Sequence, residues 1–111
     1  MSKIEVITIA TTRGNFYLPA ERVSGTEFVI WRYKNAPKET GFRGILGWSV
    51  THAQTGRAIV THAKSKAAAV TAARELTALD VSWDFSDVEK APKGLKPQVQ
   101  KIQDKARGYS Q

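Results

Sequence analysis

Alternating apolar and polar positions predict a series of short strands in the first third of the chain. Residues 3–11 (KIEVITIAT) are rich in β-branched side chains, which is typical of a strand. Residues 16–23 are a weaker strand, because Pro19 cannot donate a hydrogen bond to a β-ladder. The apolar and aromatic run 27–34 (EFVIWRYK) is typical of a strand that is covered on both faces or lies near the centre of the sheet. We expect these strands to form an antiparallel meander.

The segment 42–79 gives the clearest succession of signals: a strand, a tight turn, a second strand and an alanine-rich helix. Residues 53–56 (AQTG) are expected to form a type I turn, with Gly56 in the left-handed conformation of a G1 bulge. A two-residue turn would instead shift one strand by a residue and turn Ile59 inward, which separates apolar from polar residues less well. The bulged turn predicts a core face made by Trp48, Val50, His52, Ala58, Val60 and His62. It predicts a mostly polar outer face made by Ser49, Thr51, Arg57, Ile59 and Thr61.

Helical spacing follows the hairpin. Ser65 is expected to cap a helix over residues 66–79, in which apolar positions recur every three or four residues and form one core-facing stripe. Residues 81–85 (VSWDF) alternate strictly and predict a last half-buried strand. We therefore predict an α+β fold in a single domain over residues 1–86. It has an antiparallel sheet of about five strands with one alanine-rich helix packed on one face.

The character of the chain changes after Ser86. Residues 86–94 are polar and contain proline and glycine, which indicates a linker. Residues 95–107 then place apolar residues at helical spacing among basic ones. We expect residues 87–111 to form a basic linker and a short amphipathic C-terminal helix, or a tail that folds only against a partner.

Composition and charge narrow the function classes. The chain of 111 residues has a net charge of +7 and a sequence pI of about 9.9, which indicates polyanionic partners, nucleic acid first. Residues 65–85 contain two basic and three acidic residues, so the helix region has a net charge of −1 and is not the basic element. The lack of cysteine excludes disulfides and thiolate metal sites, and suits a protein of the reducing cytoplasm. No signal peptide and no apolar run long enough to span a membrane is expected.

The sequence contains no arrangement of residues that is typical of a catalytic or metal site. His52 and His62 are expected on one face but at opposite ends of the hairpin, on the order of 13 Å apart, which is too far for one metal ion. Neither a nucleophile elbow nor a glycine-rich phosphate loop leading into a helix occurs. We expect a protein without enzymatic activity, metal or cofactor.

A family resemblance rests on short motifs within residues 42–79: Arg43-Gly44, Trp48 at the start of a strand, Thr55-Gly56 in the turn, and Ser65 before Lys66-Ala67-Ala68-Ala69 and Ala72-Ala73-Arg74. This segment resembles the AP2-type plant DNA-binding domain and the arm-site-binding domains of phage integrases. The resemblance implies a three-stranded sheet that enters the major groove with one helix behind it. It also implies DNA contacts from Arg43, Ser49, Thr51, Arg57 and Thr61.

Two functions are therefore predicted, from different classes. The first is a small cytoplasmic accessory protein, of phage or plasmid type, that binds DNA or RNA through an outer sheet face and basic loops. Its contacts would come from Lys34, Lys38, Arg43, Ser49, Thr51, Arg57 and Thr61, and Trp31, Tyr33 or Phe42 would stack on bases if exposed. The alternative is a protein–protein adaptor or inhibitor that engages a partner, or a second copy, through a sheet edge or the C-terminal helix. The helix residues concerned are Leu95, Val99, Lys101, Ile102 and Lys105.

Overall fold

The computed structural model describes residues 3–86 and 94–108, and within them confirms the α+β fold. Five strands form one antiparallel sheet in the order of the sequence, and two helices pack beside it. The strands are β1 (Lys3–Thr11), β2 (Gly14–Arg22), β3 (Phe28–Arg32), β4 (Trp48–His52) and β5 (Ala58–Ala63). The helices are α1 (Lys66–Thr77) and α2 (Lys96–Arg107).

Helix α1 covers one face of the sheet. The Ser65 hydroxyl caps its first turn by accepting a hydrogen bond from the Ala68 backbone N–H (3.1 Å), as the sequence predicted. Its core-facing side chains are small, so the helix lies close to the strands, and only Leu76 of them is large. They are Ala69, Ala72, Ala73 and Leu76, all buried with Phe28, Ile30, Val50 and Val60 of the sheet.

The opposite face of the sheet is covered by the β1–β2 hairpin. Strand β2 pairs with β3 at only two positions, Glu21 with Ile30 and Arg22 with Val29. Beyond them the hairpin departs from β3, and its inward side chains form a second core with the outer face of β3. This core contains Ile7, Ile9, Leu18, Ala20, Val29, Trp31, Tyr33 and Ala36. The sheet is therefore buried on both faces around β3, as the continuous apolar run 27–34 indicated.

An ion pair fastens the open end of this hairpin. Arg22 donates from Nη2 and Nε to the two carboxylate oxygens of Glu5, over 2.7 and 3.0 Å. These hydrogen bonds lower the pKa of Glu5 below its ordinary value, against the opposing effect of burial. The arrangement holds β1 against β2 at the end that is distant from their turn.

Two segments predicted as strand are irregular. Residues 42–47 form turns, so β4 begins only at Trp48. Residues 81–85 form tight turns as well, with the Phe85 N–H bonded to the Trp83 carbonyl oxygen (3.1 Å). Trp83 is buried nonetheless, since its indole Nε1 donates to the Leu76 carbonyl oxygen at the end of α1 (2.8 Å). The alternation reflected burial of Trp83 and Phe85 against the helix side, without any partner strand.

The hairpin register differs from the predicted one near both ends. Gly56 takes the left-handed conformation (φ 73°), as expected, but His52 rather than Ala53 bonds to Arg57, so the loop has four residues. Val50 pairs with Val60 as predicted, whereas Thr51 pairs with Ala58 and Trp48 with Ala63. Irregularities on both sides of Val60 therefore turn Ile59 toward the helix side and expose Ala58.

Helix α2 packs against β5 and α1. The Lys64 backbone N–H donates to the Ala106 carbonyl oxygen (2.8 Å), and Ile102 and Ala106 are buried. Leu95 and Val99 are half-buried on the same core. This corrects the expectation for Ile102, which the chain itself covers, whereas Leu95 and Val99 keep part of their surface accessible beside Trp83 and Phe85. Residues 87–93 of the predicted linker lie outside the described part of the chain.

Candidate functional site

A cleft of about 870 Å³ opens on the side of the sheet opposite α1. The β1–β2 hairpin bounds it on one side, residues 40–45 on another, and the β4–β5 hairpin on the third. This opening is called the cleft. Its lining residues are Ile9, Thr11, Thr12, Trp31, Tyr33, Thr40, Phe42, Ile45, Ser49, Thr51, Thr55, Gly56, Arg57, Ala58, Thr61 and His62. Its volume lies in the range of roughly 300–1,000 Å³ that is usual for ligand sites.

Aromatic rings form one wall of the cleft. Tyr33 lies at the centre, with its ring centroid 5.9 Å from Phe42, 5.5 Å from His62 and 5.0 Å from Trp31. Trp31 and Tyr33 are buried, whereas Phe42 is half-buried and His62 is exposed. Phe42 and His62 therefore carry the ring surface that a ligand can reach.

Hydroxyl groups form the floor. Trp31 donates from Nε1 to the Thr51 hydroxyl (2.9 Å), which lies 2.9 Å from the Ser49 hydroxyl. Burial raises the pKa of the neighbouring Tyr33, and hydrogen bonds from the His62 backbone and the Ser49 hydroxyl partly offset this, as does the charge of Arg107. A connected row of polar groups thus runs from Trp31 to Tyr33.

The position of Ser49 and Thr51 corrects the expectation of an open outer sheet face. Both side chains are 0% exposed, because the β1–β2 hairpin lies over them. They cannot contact a DNA groove across the sheet surface, as the family resemblance implied. They contribute instead to the floor of the cleft.

Three arginines lie at the cleft or beside the segments that line it. Arg57 is exposed and lines it. Arg13, in the β1–β2 turn, reaches the 40–45 segment, since a Cβ at Gly41 would lie 2.9 Å from its Nη1. Arg107 of α2 donates from Nε to the Thr61 carbonyl oxygen (2.9 Å) and from Nη2 to the Thr61 hydroxyl (2.6 Å). These three residues are called the arginine rim.

Negative charge lies elsewhere in the described structure. No carboxylate is among the residues that line the cleft, and none of the described ion pairs includes a member of the arginine rim. Those pairs join Glu5 to Arg22, Glu21 to Lys66 and Glu75 to Lys105. The rim can therefore interact with an anion without first giving up a carboxylate partner.

The other predicted contact residues lie on the loop beside the cleft. Lys34 and Lys38 are exposed in two short 3₁₀ turns, and Arg43 donates from Nε to the Ala36 carbonyl oxygen (3.0 Å). Of the predicted set, the structure brings Ser49, Thr51, Arg57 and Thr61 together at the cleft. Sequence reasoning missed Arg13, Arg107 and His62. No local pattern connects Arg107 to Thr61, because they are 46 positions apart.

The two histidines lie on opposite faces of the sheet, not on one face as predicted. His52 is buried on the α1 side, where Nε2 donates to the Trp83 carbonyl oxygen (2.6 Å) and Nδ1 lies 2.9 Å from the Thr55 hydroxyl. His62, at a positive φ of 60°, turns to the cleft side. Across residues 3–86 and 94–108, no cluster of three or more His, Asp or Glu side chains could hold a metal ion. Neither described helix is long and apolar enough to cross a membrane.

Comparisons with protein-family models, curated proteins and solved structures give no match to this chain. The resemblance of residues 42–79 to AP2-type and integrase arm-binding domains stays a prediction. An aromatic wall, a hydroxyl floor and an arginine rim together suit a ligand that combines a planar ring with negative charge.

Proposed function

We propose that the protein is a small basic accessory protein without enzymatic activity, which binds nucleic acid at the mouth of the cleft. The observation that supports this most directly is the arginine rim around a cleft without carboxylates. A guanidinium group binds phosphate through two parallel hydrogen bonds, and the exposed Arg57 can offer them from the lining of the cleft. The net charge of +7 adds long-range attraction to any polyanion.

The contact surface in this proposal extends from the rim onto the adjacent loop. Lys34, Lys38 and Arg43 lie on residues 33–43, next to the aromatic wall, and add positive charge on that side. The resemblance to AP2-type domains supports DNA as one target, although the sheet face that such domains use is covered here. The lack of cysteine supports a cytoplasmic setting, as part of the same proposal.

Charge reversal at Arg57 tests the proposal. We expect Arg57→Glu to weaken binding of single-stranded DNA on the order of 10-fold at low salt, because it removes one phosphate contact and adds repulsion. The slope of log affinity against log salt should become shallower by about 0.7–1. Fluorescence anisotropy of a labelled oligonucleotide over a salt titration measures both.

Arg74→Glu is the matched control, since Arg74 is an exposed arginine on α1, on the opposite side of the sheet. It changes the net charge equally and should leave binding within about twofold. Equal losses in the two variants, or no binding by the unmodified protein at low salt, would reject the proposal.

The alternative function, a protein–protein adaptor, is favoured by one surface. Ile4, Val6 and Tyr17 are 63%, 71% and 70% exposed on the outward face of the β1–β2 hairpin. Val6 lies opposite Pro19 and Thr8 opposite Tyr17, so these side chains form a continuous, mostly apolar patch without charge at its centre. Such a patch suits a second copy of the same uncharged surface.

Val6→Lys should abolish self-association through this patch, because it would place two ammonium groups in an apolar contact. Sedimentation equilibrium at increasing protein concentration measures the effect. Leu46→Lys is the control, since Leu46 is 88% exposed in the loop before β4. An unmodified protein that stays monomeric at all concentrations excludes the adaptor through self-association.

A further inference from the structure

The cleft has depth as well as charge. Its exposed margin carries Thr12, Arg57 and His62, whereas its floor carries Ser49 and Thr51, which are fully buried. Phosphates bound at the margin by the arginine rim would leave this interior unfilled. A ligand that fits the whole site therefore has an apolar, planar part that can enter along the aromatic wall.

The hydroxyl groups on the floor of the cleft leave one O–H free to donate a hydrogen bond to a ligand. Trp31 N–H occupies one acceptor site of Thr51, and Thr51 and Ser49 share one hydrogen bond. One of their two O–H groups is therefore left over, and the Ser49 hydroxyl is the group that reaches Tyr33. The Ser49 hydroxyl and the His62 backbone both lower the pKa of Tyr33 against the effect of burial, and Tyr33 itself lines the cleft. The Tyr33 O–H can therefore donate to an acceptor on a ligand in the cleft.

We infer that the cleft takes one unpaired base of a single-stranded nucleic acid, stacked on Phe42 and His62, with a ring acceptor bonded to the Tyr33 hydroxyl. This inference rests on the proposed function and specifies the form of nucleic acid that the site selects. The bases of a duplex are stacked and paired, so their faces cannot reach the aromatic wall. Every base offers a flat face and at least one acceptor, so we expect preference for single strands over duplex rather than for one sequence.

An abasic oligonucleotide separates base entry from phosphate binding. We compare three probes of about twelve nucleotides: single-stranded oligo(dT), an abasic strand of the same length and charge, and a duplex that contains the same thymidine strand. Stacking of one base corresponds to about 5- to 150-fold in affinity, so we expect the abasic strand and the duplex to bind on the order of 10-fold more weakly. All three are measured by anisotropy with the full chain at low salt.

Each outcome has one meaning. Tight binding of oligo(dT) with weak binding of the other two probes supports base entry. Equal binding of oligo(dT) and the abasic strand overturns the inference but leaves the proposed function intact, since only phosphates would then be recognised. Duplex binding as tight as oligo(dT) binding also overturns it. Failure of all three probes to bind rejects the proposed function itself.

Tyr33→Phe tests the hydrogen bond within the same site. It keeps the aromatic ring and removes the hydroxyl, and we expect about 2- to 10-fold weaker binding of oligo(dT) with little change for the abasic strand. Tyr17→Phe makes the same chemical change on the outer hairpin face, where Tyr17 is 70% exposed, and should change neither. A parallel loss for oligo(dT) and the abasic strand in Tyr33→Phe would show that the residue only supports the fold.

Discussion

Replacement of Trp83 with alanine is expected to lower the free energy of unfolding by about 3–5 kcal/mol, the range for removal of a buried large aromatic side chain. Trp83 is 8% exposed and lies 5.0 Å from Phe28, ring centroid to ring centroid, in an edge-to-face arrangement. Its indole Nε1 bonds to the Leu76 carbonyl oxygen, and its own carbonyl oxygen accepts from His52. The residue thereby ties the segment after α1 to both the helix and β4. Urea unfolding followed by circular dichroism measures the loss.

Trp83→Phe separates the ring from its hydrogen bond. Phenylalanine keeps most of the apolar contact but cannot donate to Leu76, and the expected cost is about 1–2 kcal/mol. The Leu76 carbonyl also accepts from the Leu79 N–H (3.2 Å), so it keeps a partner in this variant. If Trp83→Ala cost no more than Trp83→Phe, the packing of the Trp83 ring would contribute nothing to stability.

The same segment shows what sequence patterns can and cannot predict. Strict alternation in residues 81–85 correctly indicated that Trp83 and Phe85 face the interior. The alternation did not show that residues 81–85 form turns instead of a strand. Alternation indicates which side chains are buried, but carries no information about a partner strand. The Ser65 cap and the alanine stripe of α1 were predictable because they depend on local features of the sequence. The cap is a contact within about one helical turn, and the stripe needs only one apolar surface to pack against.

The candidate site could not be predicted from the sequence, because it is formed by contacts between residues that are far apart along the chain. Ser49 and Thr51 are polar residues at alternating positions, and such residues ordinarily face solvent. Here both side chains are buried on the sheet face that the β1–β2 hairpin covers, and their hydrogen-bond partners are Trp31 of β3 and each other. The direction in which β1 and β2 leave β3 decides this. The sequence signals only that Pro19 weakens β2, and does not show where the hairpin then goes.

The faces of β5 illustrate a second limit. The pairing of Val50 with Val60 was predictable because both are apolar and central in the hairpin. The placement of His62 was not, since it depends on a left-handed backbone at a non-glycine residue next to Gly47. That single conformation moves the histidine from the α1 core to the aromatic wall of the cleft. A ring that the predicted register placed on the core face thereby becomes part of the candidate base-binding surface.

Gly56→Ala is expected to have the second large effect, because two costs combine at this residue. Gly56 has a φ of 73°, which an L side chain adopts at a cost of roughly 1–2 kcal/mol. A Cβ at this position would also overlap the Thr8 carbonyl oxygen of β1, so the turn and the strand have to separate. Such overpacking costs a further 1–3 kcal/mol or so. The expected loss of unfolding free energy is about 2–5 kcal/mol, measured by urea unfolding.

Gly25→Ala supplies the control that isolates the contact with β1. Gly25 has nearly the same conformation, φ 79°, but a Cβ there would meet no atom within 4 Å. Its replacement should therefore cost only the backbone strain, roughly 1–2 kcal/mol. Gly56 lines the cleft, so Gly56→Ala should also weaken oligo(dT) binding when measured without urea, where the variant is folded. Gly25→Ala should leave oligo(dT) binding unchanged. Equal stability losses in the two variants would mean that the β4–β5 turn is not in close contact with β1. The cleft would then be more open between this turn and β1.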